Sequence, residues 1–513
     1  MPPKKQTLGE QAKLGVVYNS MSRLSGTFMQ FFGSIALARL LEVKDFGLVQ
    51  MAMMVVEFAT KMGEFGFSMG LVQRREEVTE VHINTLFLMD FLFKLTLFGV
   101  IMLCLPFLVK YFGEPKLAVV LPGVALYMVL DCFEAAGTTM LDRQMNFLKS
   151  AQIEVLGRFS EIFSSVAFAL MGFGVWSLIL SKILGIALVG FLAARAIHWW
   201  PSLKFDVQAA KELFRFGGWV FLRNFFRYLA DNADRFVISR FLGAQQLGYY
   251  SKAFDLMRLP QRRITRALNS VMFAAFARVQ DQPEKVRAGF QKAVLAVSLA
   301  SYPLLVGAMV VAPEFVDFVF GEKWRPMTLP LQIMCIAGVL RSIDPFLNSV
   351  VTATGYVRNS TFRRLIEFVL LAIAVYIGVN YGIVGVAIAV VIVSILVMFL
   401  MVSLLKRMNI VGWREYLGPQ MPGFIGSLAM AAIMLACRYL FAQRLGLSPV
   451  LTMFIMMGAG AVTYIGGLWL VKPRRVMALW QESAGDVRKA TASVRQKMAG
   501  ILRKFGRTIG VFK

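Results

Sequence analysis

ARLLEVKDFGLVQMA, residues 38–52, is answered by SRFLGAQQLGYYSKA, residues 239–253. Arg39 aligns with Arg240, Leu41 with Leu242, Gly47 with Gly248 and Ala52 with Ala253, a constant separation of 201. Farther on, Phe112-Gly-Glu returns at Phe320 and Leu121-Pro at Leu329, and FGVWSLILS from Phe173 is echoed by YGIVGVAIA from Tyr381, now 208 residues apart. Short matches arise by chance, but several in one order at nearly one spacing mark an internal repeat. Six apolar spans fit that period, and an even number preserves orientation. The halves are therefore expected to be parallel repeats about a pseudo-twofold axis along the membrane normal.

The composition supports spans. Hydrophobic residues make up 58% of the 513 and charged residues 17%, against about 25% charged in soluble domains. Apolar stretches of about 20 residues recur along the chain, each long enough to cross a bilayer as a helix. They lack the two-residue alternation of a membrane β-barrel strand. The expected fold is an all-α integral membrane protein with about 14 spans. Its parts are a cytoplasmic N-terminus (1–15), a six-helix lobe (16–205), a second six-helix lobe (206–410), two appended spans (411–472) and a basic tail (473–513). The N-terminus is too polar to open a secretory signal, so the first span is expected to remain.

The net charge of +25 would suggest nucleic acid in a soluble chain. Here its distribution excludes that partner. The N-terminus, alternate joints and tail hold 32 Lys and Arg, and the opposite joints hold 9. Positive residues stay on the cytoplasmic side, which puts both termini there. The tail, with eleven basic and two acidic residues from Lys472 onward, reads as a surface helix drawn to anionic phospholipid. Cys104, Cys132, Cys335 and Cys437 lie in apolar runs without metal-ligand spacing. No metal or organic cofactor is expected. The chain has no Walker A motif and no Gly-Lys pair, and its longest non-cytoplasmic loop, Pro313–Pro326, is short for an enzyme's catalytic loop. His82 and His198, both near cytoplasmic joints, read as ordinary loop residues.

One span resists lipid. Gly218–Gly243 carries Arg223, Arg227, Asp231, Asp234 and Arg235. Five such charges cost roughly 12 to 18 kcal/mol at mid-membrane, and its apolar residues return only about 5. At 100° per residue, Arg223, Arg227, Asp231 and Asp234 fall within an arc of about 80°, with Arg235 at its margin. The next span aligns Asp255, Arg258, Arg262, Arg266 and Asn269 in the same way, with Arg263 beside them and Pro260 expected to kink it. The N-terminal half has a thinner version in Arg23, Glu57 and Lys61. Further intramembrane charges are Asp90, Lys94, Asp131, Glu134, Arg158, Glu161, Lys182, Arg341 and Asp344. Two readings are open: a hydrated cationic path that binds an anion through Arg, or internal ion pairing, since Asp231 is four residues from both Arg227 and Arg235. On the first reading Arg223, Arg227, Arg235, Arg258, Arg262, Arg263, Arg266, Arg23, Lys61 and Arg341 line the path. Asp231, Asp234, Asp255, Glu57, Asp90, Asp131 and Glu134 pair with them or serve H⁺ or Na⁺ coupling. Arg39 and Arg240 read as caps or interface anchors.

The layout of six plus six plus two spans, the joint Arg39-x-Leu41-x₄-Phe46-Gly47 and the arginine-rich seventh and eighth spans together resemble the Wzx-type polysaccharide transporters. These belong to the multidrug/oligosaccharidyl-lipid/polysaccharide exporter superfamily. The resemblance covers about residues 12 to 472. It implies a V-shaped transporter of the bacterial inner membrane, with two lobes around a central cationic cavity. The implied cargo is an oligosaccharide repeat unit on undecaprenyl pyrophosphate, flipped by alternating access and passed to a polysaccharide polymerase and chain-length machinery. A lipid II flippase shares that carrier and is the nearer alternative. A cation-coupled multidrug antiporter should have an acidic, aromatic site, against which the arginine excess speaks.

Overall fold

The computed structural model describes residue 26 and residues 29–63, 80–144, 146–198, 200, 202, 218–354 and 357–471. All regular structure among the described residues is helical. After a helical stretch at 29–40 come α1 (Val43–Gly63), α2 (Glu80–Phe112), α3 (Leu117–Arg143), α4 (Phe147–Leu170), α5 (Val175–Ala196), α6 (Gly218–Phe241) and α7 (Gly243–Pro260). The second half continues with α8 (Arg266–Arg278), α9 (Pro283–Phe315), α10 (Thr328–Arg341), α11 (Asp344–Ala353), α12 (Val357–Gly378), α13 (Gly382–Arg407), α14 (Trp413–Leu417), α15 (Met421–Cys437) and α16 (Pro449–Val471). Among the described residues, eight continuous helical segments are long and apolar enough to cross a membrane, and the segment Arg363–Arg407 takes in most of α12 and all of α13. Charge keeps α6 and α7 out of that set. The N-terminus, Arg23 and the tail lie outside the described residues.

The sequence repeat is visible in the backbone. Leu41 N–H donates to Leu37 O at 2.8 Å, and Leu242 N–H donates to Ile238 O at 2.8 Å. Gly113 and Gly321, the glycines of the two Phe-Gly-Glu matches, both have positive φ (67° and 93°), as do Gly174 and Gly382 (54° and 69°). Left-handed backbone without a Cβ penalty is what lets the chain turn from one helix into the next there. These residues match because they punctuate equivalent helices.

The described residues form two compact units that cut across the repeat. One lies within Met1–Arg258, Ala312–Ala337 and Arg358–Val397; the other lies within Leu259–Val311, Gly338–Val357 and Met398–Lys513. In the first unit small residues let helices approach, as membrane helix packing favours. A Cβ on Gly157 would come within 2.1 Å of Val189, and one on Gly137 within 2.7 Å of Ala193. The core of the second unit gathers Phe276, Phe290, Tyr302, Phe346 and Tyr416. There Tyr302 donates to Gln420 Oε1 at 2.6 Å, and Arg287 donates to Ile410 O and Asn409 O at 3.1 and 3.0 Å, closing the end of α13. The appended pair packs on α9: Gly423 faces Ser298 backbone and Tyr464 donates to Leu299 O at 2.8 Å.

Two local expectations change form. Pro260 ends α7, and the chain passes through a π-helical turn at Gln261–Thr265 before α8; the lost amide donor is accommodated by widening the helix. Pro313–Pro326, read as a loop, is instead folded as the end of α9, a π-helical turn and a 3₁₀ turn, with Trp324 fully buried. Its aromatic residues make packing more favourable than exposure.

Candidate functional site

The charged faces of α6 and α7 meet inside the first unit. Tyr250 donates to Asp234 Oδ2 at 2.5 Å, and the same carboxylate accepts the Arg235 backbone N–H at 2.9 Å. Arg235 donates to Asn232 Oδ1 at 3.1 Å. Its guanidinium lies 5.0 Å from the centre of the Phe254 ring, and that of Arg258 lies 4.6 Å from the same ring. One phenyl ring thus gathers two cations, a contact that strengthens as water is removed. Asp234 and Arg235 are buried, Asp231, Asp255 and Arg258 are partly buried, and Arg262 in the second unit is exposed. Arg341, also in the second unit, is partly buried and its carbonyl accepts from Gln261 at 3.1 Å. The side chains of Arg223, Arg227, Arg263 and Arg266 lie outside the described set.

The charges of the N-terminal half form a separate group. Lys94, only 5% exposed, bridges Asp90 at 2.7 Å and Asp131 at 2.8 Å. These three charges are the reason α2 and α3 can carry ionised groups within the membrane, because each faces an opposite charge rather than lipid. Lys182 reaches Glu161 at 3.4 Å and lies 5.9 Å from the centre of the Tyr127 ring. Glu134 and Lys61 are partly buried, whereas Glu57 is exposed.

A second polar cluster gathers at the two repeat joints. A Cβ on Gly47 would stand 1.7 Å from Ala244 O, and one on Gly248 would stand 2.5 Å from Val43 O. Val43 and Ala244 are themselves repeat partners at the 201 spacing, so the contact is reciprocal, as a twofold interface requires. Around it, Glu114 binds Lys44 at 2.9 Å and accepts Ala244 N–H at 3.3 Å. Lys323 donates to Arg39 O and Leu41 O at 2.9 and 2.6 Å, and Trp324 Nε1 donates to Ala38 O at 2.9 Å. Arg39 donates to Phe318 O and Val319 O, while its repeat partner Arg240 lies 5.3 Å from the centre of the Tyr111 ring. Tyr111 and Val319 are in turn partners at the 208 spacing. Both arginines therefore anchor equivalent helix ends. Lys252 places its ammonium 5.2, 5.4 and 5.9 Å from the ring centres of Phe46, Phe320 and Trp324.

A family model described as polysaccharide biosynthesis protein matches residues 36–329, more than half of the chain. The chain belongs to that family. The lipopolysaccharide biosynthesis protein WzxC of Escherichia coli K12 is 27% identical over 70% of this chain and 74% of its own. The succinoglycan biosynthesis transport protein ExoT of Rhizobium meliloti is 27% identical over 63% and 66%. Among solved structures, a lipid II flippase MurJ in an inward closed conformation superposes with a TM-score of 0.73, at 13% identity, over 90% of this chain and all of that one. That likeness is one of fold. Membrane transporters of polysaccharide biosynthesis, not enzymes, are the class to which this family member belongs.

The family assignment leaves unread the residues that tie the joints. Lys252, Lys323, Trp324, Lys44 and Glu114 did not stand out in the sequence, although the repeat matches cluster around them. The signal was there: Glu114 belongs to the duplicated Phe-Gly-Glu, and Lys252 adjoins the matched Ala253.

Proposed function

We propose that the protein flips an oligosaccharide repeat unit carried on undecaprenyl pyrophosphate across the bacterial cytoplasmic membrane, for assembly of a surface or secreted polysaccharide. The observation that carries this reading is the pair of guanidinium groups, Arg235 on α6 and Arg258 on α7, gathered on one ring. Hydrocarbon does not tolerate such a pair, whereas a diphosphate needs it, because planar guanidinium groups bind phosphate oxygens in pairs and stay charged when partly dehydrated. Sugars and diphosphate would follow this wet path while the polyprenyl chain stays in lipid.

Movement would be by alternating access in a two-lobed, V-shaped molecule of fourteen spans, with both termini cytoplasmic and the repeat joints at the opposite face. The reciprocal joint contact is then the closed outer gate, and Pro260 with its π-helical turn is a flexing point. Asp90, Asp131 and Glu134 are the carboxylates available for H⁺ or Na⁺ coupling. A polymerase and chain-length machinery would receive the flipped unit, and the basic tail would lie on anionic phospholipid. Replacing Arg258 or Arg262 by Ala should abolish polysaccharide export and accumulate lipid-linked oligosaccharide in the inner leaflet, with membrane-inserted protein unchanged. Normal export in both variants would make the stripe structural and remove the support for this reading.

A further inference from the structure

Away from the charged stripes, the start of α4 and the end of α5 border a cleft of about 670 Å³. Lys149, Arg195 and His198 stand at its rim, and none of the described residues lining it is acidic. Local structure brings these cations together. Asn146 caps α4 through the Lys149 N–H, which fixes Lys149 in the first turn. Arg195 lies in the last turn of α5, and His198, with left-handed backbone (φ 54°), turns the chain away just beyond it. Trp200 then returns against Phe191, with ring centres 6.0 Å apart.

Below the cations runs an apolar ladder left exposed among the described residues. Leu156, Phe159 and Phe163 on α4 are 51, 55 and 67% exposed, and Phe191 on α5 is 49% exposed. Leu156 and Phe163 are seven residues apart, about 10 Å along a helix at 1.5 Å per residue. A cationic rim above a greasy groove at the ends of two membrane helices matches a molecule with phosphate at one end and hydrocarbon at the other. Tryptophan at the same level is the usual mark of the membrane interface. We propose that this cleft binds an anionic glycerophospholipid, with its phosphate on Lys149, Arg195 and His198 and an acyl chain along Leu156, Phe159 and Phe163. A free phosphate would leave the ladder unused, and a zwitterionic lipid would leave the rim cations unneutralised. Basic pockets between membrane helices on the cytoplasmic side recognise lipid headgroups in this manner. The site lies apart from the arginine stripes, and its occupant does not depend on what the cargo is.

The test uses the full chain in vesicles of mixed phosphatidylglycerol and phosphatidylcholine, with a photo-crosslinking phenylalanine derivative in place of Leu192, followed by mass spectrometry of the adducts. Phosphatidylglycerol should be captured at least about fivefold above its share of the vesicle. The double variant Lys149→Gln, Arg195→Gln should bring that preference down to the vesicle's own composition. Lys406→Gln, Arg407→Gln, which removes two exposed cations from the end of α13, should not change it. Adducts that simply follow vesicle composition would overturn the proposal, as would equal losses in the two double variants. Millimolar glycerol 3-phosphate should leave the adducts unchanged; if it displaces the lipid, the cleft is a soluble phosphate site and the lipid assignment falls.

Discussion

Replacing Gly47 by Ala tests whether the reciprocal contact holds the joints together. Ala favours a helix interior over Gly by about 0.8 to 1.0 kcal/mol, so propensity alone makes the substitution stabilising. The structure reverses the sign. The added Cβ would stand 1.7 Å from Ala244 O and 2.5 Å from Ala244 C, both backbone atoms that no rotamer change can move. Restoring ordinary contact requires α1 and α7 to part by well over ~1 Å. Overpacking of this kind costs about 1 to 3 kcal/mol, and the backbone-to-backbone clash puts Gly47→Ala at the upper end. At 1.4 kcal/mol per tenfold, the closed joint should lose roughly two orders of magnitude in population relative to the parted one. Gly248→Ala, whose Cβ would stand 2.5 Å from Val43 O, should lose about tenfold. Gly458→Ala in α16 meets nothing within 4 Å and serves as the control. The assay is the rate at which an impermeant maleimide labels Ser239→Cys, a fully buried position beside the joint, in a chain whose four native cysteines are replaced. Rates in the order Gly47→Ala, Gly248→Ala, Gly458→Ala support the contact. Labelling of Gly47→Ala at the control rate would refute it.

Three other outcomes follow from named contacts. Lys94→Met strands Asp90 and Asp131 without their shared cation and should destabilise the purified protein by about 3 to 5 kcal/mol; adding Asp90→Asn and Asp131→Asn should restore most of the lost melting temperature. Trp324→Phe removes the bond to Ala38 O and part of a fully buried ring and should cost about 1 to 3 kcal/mol, whereas Trp324→Ala empties the site and should cost about 3 to 5, measured as denaturant midpoints in one detergent. Under the proposed function, Arg227→Glu should reduce polysaccharide export more than Arg227→Ala, because it replaces a cation of the arginine-rich span by an anion; equal export would count against a phosphate contact there.

The repeat was legible because its surviving matches are residues with a backbone duty. Gly113 and Gly321, and Gly174 and Gly382, hold positive φ, a restriction that one-dimensional comparison detects. The charged face of α6 was legible for a similar reason, since its spacing is that of a helix. Which member of that face turns inward was not. Asp234 is held by Tyr250 from sixteen residues away, and helical periodicity carries no record of a partner on another helix. Lys252 shows the same limit more sharply: its three rings come from residues 46, 320 and 324. Trp324 looked like part of a loop because Gly321 and Pro326 flank it, and its burial depends on the helix end at Ala38.

The joint is symmetric in its backbone and asymmetric in its side chains. Lys252 faces three rings, but its repeat partner Met51 is a fully buried apolar residue. Trp324 is buried, whereas its partner Lys116 is exposed. Glu114 ties two repeats through Lys44 and Ala244, while its partner Glu322 pairs locally with Arg325. A twofold approach of two helices fixes where Gly and the facing carbonyls must be, and leaves the surrounding side chains free to diverge. Part of what surrounds the contact is polar: Lys323, Glu114, Arg39 and the Trp324 indole make hydrogen bonds or ion pairs there, beside the buried rings of Phe320 and Trp324. Such bonds contribute only about 0.5 to 1.5 kcal/mol each net of hydration. Exchanging these bonds for water costs little, and a bound ligand can shift a two-state equilibrium only through its differential affinity for the two states. The second unit's core, built on Phe276, Phe290 and Phe346, has no such exchange available. Under the proposed function, the polar bonds of the joint are where water can replace protein contacts at least cost.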